Sequence, residues 1–178
     1  MSDWSLISEV NASGAASTSF TDLTGYKIFK FVFINLDAVT YNAKFEFQGS
    51  TDSGVSYNTT MTTTFFYTSH AEDDSAYILS YLTSQDQGQG TAYQSLAPSF
   101  GTDSDQCAAG ELFLYNPAST VYIKHFYNRI TQYSKLPEQA EYYAAGYFNT
   151  TSALDAINFK MSTGNFSGTI KQYGLVES

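Results

Sequence analysis

The residue types that most often carry catalysis are few in this chain, and their spacing matches no familiar active-site motif. The 178 residues include two histidines, His70 and His125, and one cysteine, Cys107. A nucleophile, histidine and acid triad needs such groups brought together by the fold, so counting residues does not exclude one. The G-x-S-x-G segment that forms the nucleophile elbow of many hydrolases is absent. The residues beside Cys107 offer nothing that would activate its thiolate.

An acidic cluster that follows His70 is the one candidate for a cation site. Glu72, Asp73 and Asp74 supply the carboxylates that hard cations prefer. The D-x-D-x-D-G spacing of a calcium loop is absent, and a solvated acidic loop is the simpler explanation of the cluster. We therefore predict neither a metal nor a cofactor, and a weak cation site at this loop stays an open alternative.

The charge of the chain limits its partners. Lys and Arg total 8, Asp and Glu total 17, and the net charge is −9. Such a surface repels phosphate groups, so we expect neither nucleic acid nor an anionic membrane as a partner. The first residues lack the basic and apolar segments of a signal peptide, which predicts assembly in the cytoplasm.

Aromatic residues are in clear excess, with 15 Tyr, 14 Phe and one Trp. Tyrosine is favoured where an apolar surface meets water, which includes protein interfaces and sugar-binding surfaces. Tyr142, Tyr143 and Tyr147 form the densest group, and Trp4 lies near the start of the chain. We predict these four as candidate interface residues, with a role in the core or on a sheet face as the alternative.

These aromatic residues belong to short runs with a period of two, separated by Gly, Asp, Asn and Ser, which predicts β-strands. The strongest runs are residues 4–10, 26–34, 43–48, 57–67, 111–115, 121–128, 142–149, 156–161 and 167–173. This spacing predicts a single all-β domain over residues 1–178. We expect an antiparallel β-sandwich, jelly-roll-like, with about 8–10 strands.

Two of the runs predict the core. Both faces of residues 26–34 are largely apolar, which predicts a central strand covered on both sides. Residues 43–48 alternate cleanly, so one face is apolar and the other polar. We expect Phe31 and Phe45 in the core and Gln48 facing solvent.

Three segments lie outside the clear strands. Residues 11–19 are small and polar and predict a loop, so that residues 1–19 are a candidate N-terminal arm. Residues 72–82 show an approximate helical spacing and are a candidate helix. Residues 84–105 are polar and contain glycine, which predicts a long loop region carrying one short strand near Tyr93.

Several fragments together resemble those of small β-sandwich virion proteins of tailed phages, a group common among marine and cyanobacterial phages. The fragments are WSLI at 4–7, FT at 20–21, LTGY at 23–26, FINL at 33–36, FEFQGSTDSGVSY at 45–57 and STGNFSGTIKQYGL at 162–175. The resemblance covers roughly the first third and the last quarter of the chain. It excludes residues 68–105.

The resemblance implies a virion structural protein without enzymatic activity. The first hypothesis is a capsid decoration or cement protein on the head exterior, bound to the major capsid protein and to copies of itself, with a trimer expected by analogy. The alternative is a tail-fibre or receptor-binding module that contacts a host glycan or protein. An enzyme such as a depolymerase is the third hypothesis.

Overall fold

The computed structural model describes residues 3–176, and within that range every regular element is a β-strand. The twelve strands are β1 (Trp4–Ala15), β2 (Ser17–Phe20), β3 (Ile28–Ala38), β4 (Phe45–Ser50), β5 (Met61–Ala71), β6 (Tyr77–Tyr81), β7 (Gln94–Ala97), β8 (Ala108–Tyr115), β9 (Lys124–Tyr133), β10 (Glu138–Phe148), β11 (Ala156–Met161) and β12 (Phe166–Leu175). No helix in the described part of the chain is long and apolar enough to cross a membrane.

The strands form two antiparallel sheets, which confirms the predicted all-β sandwich. The larger sheet has eight strands in the order β1-β12-β3-β8-β9-β10-β5-β6. The smaller sheet has four strands in the order β2-β11-β4-β7. The count of twelve exceeds the predicted 8–10, and the jelly-roll-like arrangement stays a prediction.

Phenylalanine rings from both sheets fill the space between them. The ring of Phe159 in β11 lies at the centre, with its centroid 5.3 to 6.3 Å from five neighbouring rings, those of Phe20, Phe31, Phe33, Phe45 and Phe47. Phe31 and Phe45 have no exposed surface, which confirms their predicted place in the core. The alternation of these rings with more polar residues therefore sets which face of each strand points inward.

The N-terminal segment differs from its prediction. The loop expected over residues 11–19 is replaced by the end of β1 and by β2, so residues 4–19 form no free arm. Residues 1 and 2 of the predicted arm lie outside the described residues. Strand β1 pairs with β12 as far as Ala15 opposite Phe166. An edge strand needs apolar residues on one face only, and Val10 and Ala12, which pack against the core, are sufficient.

The candidate helix over residues 72–82 is wrong. Residues 72–75 form a turn, and residues 77–81 form β6, which pairs with β5 from Phe66 opposite Tyr81 to His70 opposite Tyr77. The helical spacing of Ala76, Leu79, Ser80 and Leu82 is a coincidence, because pairing of this segment with β5 overrides any local preference. Residues 84–105 do contain a short strand beside Tyr93, namely β7, as predicted.

Two predictions of side-chain burial are also wrong, the exposure of Gln48 and the burial of both faces of β3. Gln48 does point away from Phe47, but the loop after β6 covers it, and its amide donates hydrogen bonds to the carbonyls of Thr91 and Ala92 at 3.1 and 3.0 Å. Strand β3 lies inside its sheet, yet only one of its faces is covered. On the other face Ile34 is 37% exposed.

Candidate interaction surface

Three of the four predicted interface residues converge on the side of the eight-stranded sheet that points away from the core. We call this side the outer face. Its aromatic residues come from seven of the eight strands, all except β3, and include Trp4, Phe66, Tyr77, Tyr81, Phe113, Tyr115, Tyr127, Tyr143, Tyr147 and Tyr173. Strand alternation places them together because each neighbouring strand contributes every second residue to the same face.

Trp4 anchors one end of the outer face. Its ring meets that of Phe113 edge-to-face, with the centroids 6.0 Å apart. The ammonium group of Lys30 lies 4.4 Å from the centre of the Trp4 ring and 5.5 Å from that of Tyr173. A cation held over an indole face is attracted by the ring electrons, so Lys30 fixes the Trp4 ring against the sheet.

The middle of the outer face is a stack of rings on β8 and β9. Phe113 and Tyr127 lie opposite one another in register, with ring centroids 4.9 Å apart and planes at 17°. Tyr115 continues the stack, 6.2 Å from Tyr127. Parallel offset rings on adjacent strands stabilise a sheet and present a flat apolar surface to solvent.

Beside this stack lies a hollow of about 420 Å³. Tyr115, Tyr127 and Tyr147 contribute aromatic walls, and His125 lies with its ring 6.0 Å from that of Tyr147. Thr62 adds a hydroxyl group from β5. The hollow therefore combines ring faces with hydrogen-bonding groups, which suits a ligand that is part apolar and part polar.

Tyr143 lies on the far side of the outer face. Its ring stacks on that of Phe66 at 4.7 Å, and the guanidinium group of Arg129 lies 5.8 Å from it. Arg129 also donates a hydrogen bond to Glu141, which lowers the pKa of that carboxyl group. Partial burial raises the pKa of the Tyr143 hydroxyl, so the group stays neutral at physiological pH.

The charges on the outer face are nearly balanced. Glu9 and Lys171 form an ion pair at 3.1 Å, and Arg129 lies opposite Glu111 and pairs with Glu141. With Lys30 and the exposed Asp37 of β3, the face has three cations and four carboxylates. The smaller sheet has one charge of each sign, Glu46 and Lys160, so the excess of acidic residues lies mainly on the loops.

The prediction of an interface role is wrong for Tyr142. This side chain is 3% exposed and points into the core, where its ring lies 6.0 Å from that of Tyr67. Tyr142 and Tyr143 are neighbours in sequence, so strand alternation must send them to opposite faces. Sequence reasoning also missed Phe113 and Tyr127 as interface residues, because each lies beside a charged residue, Glu111 or Arg129, on the same face of its strand.

Apart from His125 in the hollow beside Tyr147, the residues considered for catalysis and cation binding lie near the edge of the outer face. His70, Glu72 and Cys107 line one hollow, but no hydrogen bond joins them. The His70 ring instead contacts the carboxylate of Asp74 at 3.1 Å. Within residues 3–176, no group of three or more His, Cys, Asp or Glu side chains is arranged to hold a metal ion.

Comparison with known proteins gives no match for this chain among family models, curated proteins or solved structures. The fold and the outer face therefore carry the functional argument.

Proposed function

We propose that the chain is a structural protein of a tailed-phage particle, without enzymatic activity, that decorates the exterior of the capsid shell. In this role it is assembled in the host cytoplasm and binds the major capsid protein through the outer face. Its work is mechanical, because added contacts between shell subunits oppose the pressure of packaged DNA.

The observation that carries the proposal is the outer face itself. Phe66 and Tyr127 remain about 40% exposed on it, and the partly buried rings of Phe113 and Tyr143 stack beside them. Exposed apolar area of this kind marks a surface that another molecule covers. The fragments that resemble phage virion proteins favour a shell as that molecule.

The distribution of charge supports the same orientation. The nearly balanced outer face can approach another protein without the repulsion that a net charge of −9 would otherwise cause. The acidic loops then remain in contact with solvent and keep the decorated particle soluble.

A receptor-binding module is the second candidate, and the hollow beside Tyr147 favours it. Aromatic walls that stack on a sugar ring, together with hydroxyl and imidazole groups, are suited to a host glycan. In that case the chain belongs to a tail fibre, and the hollow rather than the whole outer face makes the essential contact.

The two candidates differ in copy number and position. Quantitative mass spectrometry of purified particles, combined with a low-resolution density map, measures both. A decoration protein is present in hundreds of copies on the head, whereas a fibre module is present in few copies on the tail. Location on the tail, or binding of the purified chain to host cells, contradicts the decoration role.

A pair of variants tests the outer face directly. Tyr127→Asp places a charge within the ring stack and should abolish binding to shells that lack the chain. Val55→Asp adds the same charge at a loop residue that is 84% exposed, and should bind as the unmodified chain does. Equal binding by both variants shows that another surface makes the contact.

A further inference from the structure

Strand β6 is an open edge of the eight-stranded sheet and is unusually apolar for one. Its sequence is YILSY, without a charge or a proline. Tyr77 is 81% exposed, Leu79 75%, Tyr81 49% and Ile78 42%. Apolar side chains are thus exposed on both faces of a strand whose backbone has a partner on one side only.

The other three sheet edges are protected. Strand β1 carries two register shifts and the charged residue Glu9. Strand β2 has only four residues, of which the exposed ones are Ser17 and Ser19, and β7 is four residues long and entirely buried. Charges, bulges, short length and burial are the means by which proteins prevent an edge from pairing with another chain. Strand β6 has no charge, bulge or cover, and its length of five residues is its only protection.

The backbone of β6 presents hydrogen-bonding groups to the open edge in a defined pattern. Within residues 3–176, the one further contact to them is a hydrogen bond of 3.4 Å that the Ser80 hydroxyl group donates to the Tyr81 carbonyl. The carbonyl of Ala76 and the N–H of Leu82 point toward β5 and form hydrogen bonds of 2.9 Å with it. Antiparallel pairing directs the backbone groups of successive residues to alternate sides. The N–H and C=O groups of the odd-numbered residues of β6 therefore point to the open edge.

We propose that two copies of the chain associate by antiparallel pairing of their β6 strands about a two-fold axis through Leu79. Leu79 then lies opposite Leu79 of the second copy, and Tyr77 lies opposite Tyr81. Each of these three pairs exchanges two main-chain hydrogen bonds, because all of the groups involved point outward. The two eight-stranded sheets become one continuous sheet, and the two outer faces become one surface.

A second copy suits this edge better than an unrelated partner does. The pairing is self-complementary, as a two-fold interface requires. The uncharged strand also lets two chains of net charge −9 meet, and physiological salt screens the acidic residues at its ends.

The size of the interface indicates a reversible dimer. An aromatic residue presents about 150–250 Å², so the exposed parts of Tyr77, Leu79 and Tyr81 amount to roughly 400 Å² per copy. Edge pairing covers only the part that faces the second copy, so the total buried area stays below about 800 Å², which is typical of weak association. The proposal is independent of the capsid role and does not require it. It replaces the trimer expected by analogy, since one open edge joins two copies and not three.

Sedimentation velocity over a range of concentrations from about 1 to 100 µM tests the association. We expect a species of twice the chain mass that increases with concentration. Leu79→Lys places two ammonium groups at the two-fold axis and should weaken the dimer at least about tenfold. Val55→Lys, an equal change at a more exposed loop residue, should leave it unchanged. A monomer at every concentration, a trimer, or equal loss in both variants overturns the proposal.

Disulfide cross-linking tests the register and does not depend on a weakened variant. In a Cys107→Ser background, Leu79→Cys puts two thiols on residues whose Cα atoms are about 5.5 Å apart, within the range of a disulfide. Tyr77→Cys, on the same face of the same strand, puts the two thiols four residues out of register. Mild oxidation should link the first variant and not the second. Equal linking of both, or of neither, contradicts the proposed pairing.

Discussion

The rings of Phe66 in β5 and Tyr143 in β10 lie directly opposite in register and stack with their planes at 7°. They form the aromatic pair with the closest contact on the outer face, at a centroid distance of 4.7 Å. Phe66 is nevertheless 40% exposed. The pair therefore both stabilises two neighbouring strands and presents an apolar edge to whatever covers this face.

We expect a measurable coupling between these two rings. In a double-mutant cycle with Phe66→Ala and Tyr143→Ala, the coupling free energy should be about 0.5–1.5 kcal/mol. Chemical denaturation of the four proteins gives the value. A control cycle combines Phe66→Ala with Tyr147→Ala, four residues further along β10, and should be additive within about 0.5 kcal/mol. Equal coupling in both cycles argues against a specific stack.

Phe159 should be one of the most sensitive residues of the core. Its ring contacts five other phenylalanine rings, and its replacement by alanine leaves a cavity that rigid β-strands cannot close. We expect Phe159→Ala to lower the free energy of unfolding by about 3–5 kcal/mol. Val55→Ala, at a residue that is 84% exposed, should change it by less than about 0.5 kcal/mol. A loss below about 1 kcal/mol at Phe159 would show that the core is loosely packed there.

Gly110 in β8 is required by the close approach of β9. A Cβ atom on Gly110 would lie 2.3 Å from the carbonyl oxygen of Arg129 and 2.7 Å from the Cα atom of Ile130. Because these are backbone atoms, the strands must separate, and Gly110→Ala should cost at least about 1–3 kcal/mol.

Gly88 is the matched control for this substitution. A Cβ atom there meets nothing within 4 Å, and its φ lies outside the left-handed region. Gly88→Ala should be neutral or stabilise the protein by up to about 1 kcal/mol, because it restricts the unfolded chain. Thermal or chemical unfolding of the two variants distinguishes them, and a similar loss in both would contradict this account of Gly110.

Two glutamates should respond to pH in opposite directions. Burial raises the pKa of Glu46 above its usual value near 4.5, although Lys160 and Lys44 oppose the shift. The hydrogen bond from Arg129 lowers the pKa of Glu141. Ionisation therefore opposes folding at Glu46 above its native pKa. At Glu141 it favours folding, and this contribution is lost as the pH falls through the native pKa.

Denaturation of Glu46→Gln and Glu141→Gln between about pH 7 and pH 3 tests these signs. On acidification, the unmodified chain should gain stability relative to Glu46→Gln, because Glu46 becomes protonated more readily in the folded state. It should lose stability relative to Glu141→Gln. If the free energy of unfolding of the two variants changed with pH in the same way, Glu46 and Glu141 would not differ in environment as described.

The core was predictable from the sequence because alternation in a strand is a local property. Phe31 and Phe45 follow a period of two, and their burial requires no knowledge of the neighbouring strands. Burial of Gln48 was not predictable, since it depends on a loop more than 40 residues away in sequence. The strand at Tyr77 likewise depends on its pairing with β5, which a helical spacing in the sequence conceals.

The outer face was predictable in part. Tyr143 and Tyr147 belong to a dense group of tyrosines, and composition alone drew attention to them. The separation of Tyr142 from Tyr143 needs the register of β10 relative to the core, which the sequence did not supply. The turn at residues 116–119 already indicated that the strands of Phe113 and Tyr127 are neighbours, but the register that stacks the two rings is visible only in the structure.

The position of β12 between β1 and β3 has a consequence for synthesis of the chain. Strands β1 and β3 both form hydrogen bonds with β12, which lies between them. Neither can complete this pairing until residues 166–175 have left the ribosome. The apolar faces of β1 and β3 therefore stay exposed until β12 has been synthesised. Long-range pairing of this kind is slow, and the incompletely folded chain is prone to aggregation in the meantime. Truncation before Phe166 should yield an insoluble product, and cellular chaperones should have their greatest effect during this interval.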